Sequence, residues 1–117
     1  MGRKYIPDRG DLVWLQFNPR LAHEQAGRRP ALVLSPRAYN GRVGLALFCP
    51  ITSQVKGYPF EVLLPAGLPV EGCVLADQIK SFDWRSRTAT RIVTLPPEIL
   101  DDTLARVLTL LDPSMAR

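Results

Sequence analysis

Two adjacent arginines lie where a polar loop meets an apolar segment. Arg28 and Arg29 follow a glycine-containing loop, and the residues from Pro30 to Leu34 are all apolar. Because such a run is typical of a buried strand, we expect the backbone of Arg29 to be well positioned. A guanidinium held in this way can donate two hydrogen bonds to a phosphate. The pair therefore predicts an anion-binding site, and the alternative is a solvated surface pair.

A second polar cluster lies at the end of the next apolar run. Thr52, Ser53 and Gln54 follow a mostly apolar segment that extends from Val43 to Ile51. Hydroxyl and amide groups at the end of a strand can cap a turn. They can equally donate hydrogen bonds to a phosphate or to a developing oxyanion. The residues alone leave both roles open.

A few other residues could also take part in chemistry. His23 is the only histidine, and its ordinary pKa is near neutrality, whereas Glu24 beside it can orient an arginine. Both residues are equally compatible with an inert loop. Lys56 and Lys80 are expected to be single solvated charges. A nucleobase can stack on Trp84, but we favour a core or oligomer contact for this residue.

Short apolar runs separated by turn residues predict a chain built mostly of strands. The predicted strands cover 11–17, 29–35, 43–51, 60–64, 72–76 and 87–93. A connection is predicted at 36–44, which contains the turn signal Asn40-Gly41, and a turn or one helical turn is predicted at 77–81. Residues 95–111 predict an amphipathic helix with prolines in its first turn. We therefore expect a mainly β fold of roughly five to seven short antiparallel strands with a C-terminal α-helix, closed as a small barrel or a strongly bent sheet. Trp14 is predicted to be core or interface.

Length and composition limit the class of protein. The 117 residues fit one domain, and the net charge of +4 permits a nucleic-acid partner without requiring one. No apolar run reaches the ~18 residues of a membrane span, and the N-terminus lacks the apolar region of a signal peptide, so the cytoplasm is the expected compartment. Two isolated cysteines, Cys49 and Cys73, are expected to be buried free thiols, and one histidine makes a zinc site improbable.

Several short motifs occur in order along nearly the whole chain. They are Pro7-Asp8, Gly10-Asp11-Leu12 and Trp14, then Glu24-Gln25-Ala26-Gly27 with Arg29-Pro30-Ala31, Val33-Leu34-Ser35-Pro36, Pro50 and Thr52, Lys56-Gly57-Tyr58-Pro59-Phe60, Ala76-Asp77-Gln78 with Lys80-Ser81, and Trp84-Arg85. In this combination the chain resembles the MazF/PemK family of toxin endoribonucleases. The order of the motifs carries the resemblance, and no single motif would.

The resemblance implies a fold, an activity and partners. The fold would be an SH3-like barrel, and the protein a homodimeric mRNA interferase, the toxin of a type II toxin–antitoxin pair. It would cut single-stranded RNA at short sequences without a metal or other cofactor. The ribose 2′-OH would attack the adjacent phosphate, leaving a 2′,3′-cyclic phosphate and a 5′-OH end. A MazE-like antitoxin, acidic at its C-terminal end, would cover the RNA groove, which suits a basic toxin.

The resemblance also implies roles for individual residues. Arg29 and Thr52 match the catalytic arginine and threonine of the family, and Glu24 matches a loop carboxylate linked to activity. The residues assigned to RNA binding are Gln25, Arg28, Ser53, Gln54, Lys56, Gln78, Lys80 and Arg85. Because a guanidinium stays protonated in proteins and is therefore a poor general base, we assign Arg29 to transition-state stabilisation. Glu24 and His23 are then the candidates for the base.

Other functions fit the same small β fold. One is a barrel that binds nucleic acid without catalysis, since a fold does not determine function. Another is a gyrase-directed toxin, although the presence of both Arg29 and Thr52 favours RNA cleavage. A third is an SH3-like module that binds peptides, but the nine aromatic residues do not form an obvious groove in the sequence.

Overall fold

The computed structural model describes residues 4–18, 20 and 27–115. The chain forms β1 (Asp11–Gln16), β2 (Arg28–Val33), α1 (Arg37–Val43), β3 (Leu45–Thr52), β4 (Glu61–Leu63), β5 (Cys73–Leu75), β6 (Lys80–Asp83), β7 (Thr90–Thr94) and α2 (Pro97–Leu111). A short 3-10 turn over Pro113–Met115 follows. The predicted site residues His23, Glu24 and Gln25 lie outside the described residues.

The strands form one antiparallel sheet. Its order is β4-β5-β3-β2-β1-β7, and β6 pairs with β3 as a further neighbour. β3 is therefore the central strand, with β2 along one edge and both β5 and β6 along the other. The mainly β fold with seven antiparallel strands and a C-terminal helix agrees with the prediction. The sheet is not closed into a ring of hydrogen bonds, because β4 and β7 lie at opposite ends of this order.

Both faces of the central strands are buried. Leu12, Leu32 and Cys49 pack in one hydrophobic cluster, which α2 covers through Val107. The neighbouring residues on these strands point to the other face and form a second cluster that includes Val13, Ala31, Phe48 and Trp84. This two-sided burial explains why β1, β2 and β3 read as continuous apolar runs rather than as alternating patterns. The two clusters hold the strands that carry the predicted site.

The two tryptophans differ in burial. Trp84 is only 4% exposed, and its Nε1 donates a hydrogen bond of 2.9 Å to the carbonyl oxygen of Asn40. It is therefore a core residue, the alternative that we favoured over stacking on a base. Trp14 is 38% exposed on β1, so the core role allowed for it is wrong.

The connection predicted at 36–44 is wrong, because it contains helix α1. Gly44, with φ +85°, ends this helix in the left-handed conformation. Asn40, expected in a turn, is fully buried within the helix. Its Oδ1 accepts a hydrogen bond from Ser35 Oγ at 2.6 Å, and its Nδ2 donates to the carbonyl oxygens of Pro7 at 2.8 Å and Ser35 at 2.9 Å. These contacts, of which the one with Pro7 is distant in the chain, outweigh the local turn preference of Asn40-Gly41.

The segment between β5 and β7 also differs from the prediction. A turn follows β5 as expected, but residues 80–83 then form β6, an exposed edge strand whose polar residues gave no strand signal. The last strand was expected at 87–93 and begins only at Thr90. Thr88 has φ +54°, which is incompatible with an extended strand. The side chain of Arg87 donates instead to the carbonyl oxygens of Gln16 and Phe17, at 3.1 and 2.9 Å.

The C-terminal helix agrees closely with its prediction. α2 has a proline in its first turn, and Asp112 caps its C-terminal end. It buries Thr103 and Val107 against the sheet, and Leu100 and Leu104 pack beside them. Across the described ranges, neither helix has the length and apolar character needed to cross a membrane. Cys49 and Cys73 are buried free thiols, as predicted.

Candidate active site

Two adjoining clefts lie where β3 ends. The arginine cleft has a volume of about 500 Å³ and is lined by Arg28, Arg29, Pro30, Pro50, Ile51, Thr52, Ser53, Gln54, Val70, Glu71, Leu75 and Gln78. The tyrosine cleft has a volume of about 580 Å³ and is lined by Thr52, Gln54, Lys56, Gly57, Tyr58, Pro59, Glu61, Leu75 and Gln78. Four residues, Thr52, Gln54, Leu75 and Gln78, belong to both clefts. The two therefore form one continuous surface.

Strand pairing brings Arg29 and Thr52 to one cleft. The β2–β3 ladder ends at the pair of Ala31 and Pro50, and Arg29 and Thr52 each lie two residues beyond this last pair. Both residues line the arginine cleft. The sequence could connect these two residues only through a family resemblance, whereas the structure places them at the same cleft.

The hydroxyl of Thr52 is oriented by its own turn. Its Oγ1 accepts a hydrogen bond of 3.1 Å from the backbone N–H of Gln54. Because this bond uses the oxygen as an acceptor, the hydroxyl hydrogen remains available to an anion in the cleft. On the other edge of β3, Thr52 pairs with Cys73 of β5. Thr52 is therefore anchored through its backbone and presents a donor to the cleft.

The two arginines have different surroundings. Arg28 donates long hydrogen bonds to Thr88 O at 3.4 Å and to Thr90 Oγ1 at 3.3 Å, so it is tied to the β7 side of the sheet. Arg29 is exposed, and its guanidinium has no hydrogen-bond partner within residues 4–18, 20 and 27–115. Arg29 is thus the arginine whose donors are available to a ligand, and its catalytic role stays a prediction.

A carboxylate orders the loop of the tyrosine cleft. Glu61 accepts hydrogen bonds from the backbone N–H groups of Lys56, Gly57 and Tyr58, at 2.9 to 3.2 Å. Lost hydration alone would raise the pKa of Glu61, but these three donors and the Cys73 side chain hold it below its usual value. The phenol of Tyr58 donates to Asp77 Oδ2 at 2.9 Å. That bond, more than the charge of Asp77, raises the pKa of Tyr58.

Of the predicted site residues that the structure describes, all but two line the clefts. The arginine cleft contains Glu71, which was not predicted, and the tyrosine cleft adds Tyr58 and Glu61. Glu61 lies three residues after Tyr58, just beyond the motif Lys56-Gly57-Tyr58. A carboxylate so close to this motif was the sequence signal that could have revealed it. By contrast, Lys80 lies on β6 outside both clefts, and Arg85 stacks on Trp84 with 5.1 Å between its guanidinium carbon and the ring centroid. The roles of these two in RNA binding stay predictions.

The chemistry of the site indicates its class. Two arginines and the hydroxyl of Thr52 line one cleft on a small antiparallel sheet, and such donors suit an anion such as a phosphodiester. Within the part of the chain that the structure describes, no group of three or more His, Cys, Asp or Glu side chains is placed to hold a metal ion. The fold and the site define a small β protein with a cleft whose arginine side chains can donate hydrogen bonds to an anion.

Comparison with known proteins identifies the family. A family model described as "PemK-like, MazF-like toxin of type II toxin-antitoxin system" matches residues 8–111, so the chain belongs to this family. The endoribonuclease toxin MazF of Escherichia coli (strain K12) is 50% identical over 107 residues, covering 92% of this chain and 96% of that protein.

Solved structures agree with this assignment. A crystal structure of MazF from Deinococcus radiodurans is 56% identical with a TM-score of 0.83, covering 92% of this chain and 98% of the other. A crystal structure of MazE-MazF from the same organism matches with 52% identity and a TM-score of 0.84, covering 93% and 98%. The family resemblance drawn from the sequence motifs is thus confirmed.

Proposed function

We propose that this protein is the toxin of a type II toxin–antitoxin system and a metal-independent endoribonuclease that cuts single-stranded RNA at a short sequence. The observation that carries the proposal is that Arg29 and Thr52, from the neighbouring strands β2 and β3, line one cleft. The 50% identity to an endoribonuclease toxin supports it. The protein would act in the cytoplasm as a single domain.

The reaction is a transesterification within the RNA. The ribose 2′-oxygen loses its proton and attacks the adjacent phosphorus, and the bond to the 5′-oxygen breaks. The products carry a 2′,3′-cyclic phosphate and a 5′-OH. Arg29 donates hydrogen bonds to the charge that develops on the phosphoryl oxygens, and Thr52 donates one through its free hydroxyl hydrogen. Protonation of the leaving 5′-oxygen is a second role that suits the guanidinium of Arg29.

The general base must be a different group from Arg29. A guanidinium is not deprotonated in a protein, so it cannot accept the proton of the 2′-OH. Glu24 and His23 remain the candidates from the sequence, and Glu71 joins them because it lines the arginine cleft. Cleavage rates of the variants Glu24→Gln, His23→Ala and Glu71→Gln as a function of pH separate the three. Only loss of the true base removes the acidic limb of the pH profile.

RNA binding is assigned to the remaining cleft residues. Arg28 and Lys56 supply positive charge beside the reacting phosphate, and Ser53, Gln54 and Gln78 supply neutral hydrogen-bonding groups. Gln25 completes the set predicted from the loop. Because single-stranded RNA is recognised by its backbone charge together with its unstacked bases, both kinds of group are needed.

The protein partners follow from the family. A relative that is 52% identical is described in a structure of MazE-MazF, which supports a MazE-like antitoxin as the partner of this chain. An acidic inhibitor would complement a toxin with a net charge of +4. Homodimerisation, which the family resemblance implies, is part of the proposal, and sedimentation of the purified protein measures it.

The test is cleavage of a long RNA by the purified protein in the presence of a chelator, with the 5′ ends mapped. We expect cuts at one short sequence and 5′-OH ends. A 2′-deoxy nucleotide at the mapped position must block cleavage, because it removes the nucleophile. If the protein binds both RNAs and cuts neither, it is a non-catalytic binder, and the proposal is wrong.

Two substitutions assign the catalytic roles. Arg29→Ala and Thr52→Val should each lower the cleavage rate by about 10²–10³-fold, the usual loss for one donor to developing charge. Thr52→Ser keeps the hydroxyl and should retain much of the activity. Arg37→Ala, on α1 outside both clefts, is the matched control and should cleave like the wild type.

A further inference from the structure

Tyr58 is an exposed aromatic residue that is held unusually firmly. The residue is 49% exposed, yet its hydroxyl is bonded to Asp77 and its backbone N–H to Glu61. The carbonyl oxygen of the same residue accepts a backbone bond of 3.0 Å from the N–H of Glu61. Arg106 of α2 donates to the carbonyl oxygen of Pro59 at 2.9 Å, so the loop is also joined to the helix. An exposed ring that is already ordered loses little conformational entropy when a ligand packs on it.

The charges of the tyrosine cleft differ from those of the arginine cleft. Lys56 is the single cation among its lining residues, and the oxygens of Glu61 are occupied by backbone donors. Gln54 and Gln78 are exposed and contribute neutral amides, each with donor and acceptor groups. Two arginines make the arginine cleft the better place for a phosphate. The tyrosine cleft instead suits a flat, neutral ligand with hydrogen-bonding edges.

Continuity with the arginine cleft identifies this ligand. Thr52, Gln54 and Gln78 line both clefts, so a molecule bound at Arg29 and Thr52 extends directly to Tyr58. In single-stranded RNA the group next to a phosphate is a nucleobase, and aromatic side chains are the usual surfaces on which such bases stack. Glutamine amides form paired hydrogen bonds with base edges.

We propose that the tyrosine cleft is a nucleobase subsite, in which one base beside the scissile phosphate stacks on Tyr58 and meets the amides of Gln54 and Gln78. This inference rests on the proposed RNA cleavage and adds a specificity-determining residue, Tyr58. Thr52 then connects two functions, since it contacts the phosphate on one side and borders the base on the other. The subsite makes one position of the recognition sequence depend on the tyrosine cleft.

The experiment measures binding to RNA that cannot be cut. Fluorescence anisotropy is recorded with an oligonucleotide of the mapped sequence that carries a 2′-deoxy nucleotide at the cleavage position. Tyr58→Ala should weaken binding by about tenfold or more, because one stacked base is lost. Tyr58→Phe keeps the ring and should bind far more tightly than Tyr58→Ala. Tyr39→Ala removes a tyrosine of similar exposure (41%) on α1, outside both clefts, and should change nothing.

An abasic scan locates the base. When each nucleotide in turn lacks its base, the penalty of Tyr58→Ala should vanish at one position and persist at all others. An equal penalty at every position, or no penalty at all, overturns the subsite. The subsite is also overturned if Tyr58→Ala binds RNA normally and loses affinity only for the antitoxin, because the cleft would then bind the protein partner and not a base.

The subsite and the nuclease fail in different ways. If the wild type cuts RNA but Tyr58→Ala shows no loss of binding, the nuclease stands and the subsite is wrong. If the wild type cuts nothing, the comparison of Tyr58→Ala with Tyr39→Ala on single-stranded RNA still tests the subsite, because it requires no cleavage.

Discussion

At the scale of single residues, the position of Thr52 depends on Gly72, the residue directly before β5. Gly72 has φ +124°, and a Cβ atom there would lie 1.9 Å from the carbonyl oxygen of Thr52 and 2.9 Å from the Cα of Ser53. Both neighbours are backbone atoms, so no side-chain rotation can relieve the contact. The backbone that carries the proposed catalytic hydroxyl is therefore in direct contact with Gly72.

We predict that Gly72→Ala lowers the rate of RNA cleavage by about 10²-fold, since a displacement of about 1 Å in a catalytic group has effects of that size. The measurement is the single-turnover cleavage rate at saturating protein. Gly67→Ala is the control, because Gly67 also has a positive φ of +92° but has open space where its Cβ would lie. Both variants share the backbone strain, and only Gly72→Ala moves Thr52. Equal rates in the two variants would contradict the prediction.

At the scale of elements, the loop between β3 and β4 is ordered by Glu61. This carboxylate accepts hydrogen bonds from the N–H groups of three consecutive residues. Lost hydration acts to raise the pKa of Glu61, but these bonds outweigh that effect and lower the pKa. A lowered pKa in the folded state means that the ionised form stabilises the fold. That stabilisation is fully present above the ordinary pKa of a glutamate, about 4.3, and is lost as the pH falls through the lower folded value.

We therefore predict that Glu61→Gln lowers the free energy of unfolding at pH 7 and has much less effect at low pH. Urea unfolding of both proteins at a series of pH values measures the difference. The gap between the two should narrow as the pH falls below about 4.3, because protonated Glu61 then resembles glutamine. Glu98→Gln, which removes an exposed carboxylate at the start of α2, controls for the change in net charge. A gap that is constant with pH would show that the carboxylate charge is not what orders the loop.

At the scale of the whole molecule, the net charge of +4 acts through its distribution. Arg28, Arg29 and Lys56 line the two clefts, whereas Lys80 and Arg85 lie outside them. Binding of single-stranded nucleic acid weakens with salt by a slope of about 0.7 in log K per log of salt concentration for each phosphate neutralised. The slope thus counts the cations that contact the backbone of the RNA.

We predict that Arg28→Gln and Lys56→Gln each reduce the salt slope by about 0.7, and that Arg85→Gln leaves it unchanged. Anisotropy titrations with uncut RNA at four or more salt concentrations give the slopes. All three variants lose the same formal charge, so a general effect of net charge would change the three slopes equally. A reduced slope for Arg85→Gln would show that RNA extends beyond the clefts to the turn that follows β6.

The gap between prediction and structure has a common physical cause. The strands and α2 were predictable because their apolar spacing reflects burial that each segment needs by itself. Helix α1 was missed because Asn40 is satisfied by Ser35 and Pro7 rather than by a turn of its own. β6 was missed because its polar residues are exposed and its order comes from pairing with β3.

The sequence by itself determined the mainly β character and the C-terminal helix, because these depend on local periodicity. It also determined the family, through the order of its motifs, and through that resemblance it proposed Arg29 and Thr52 as site residues. Only the tertiary structure decided that Arg29 and Thr52 line one cleft, since the pairing of β2 with β3 is set by the packing of the whole sheet. It also joined Tyr58 to Gln78 in one cleft and placed Arg85 outside it. Such neighbours are distant in the chain, so their proximity depends on long-range packing and hydrogen bonds that local sequence patterns do not encode.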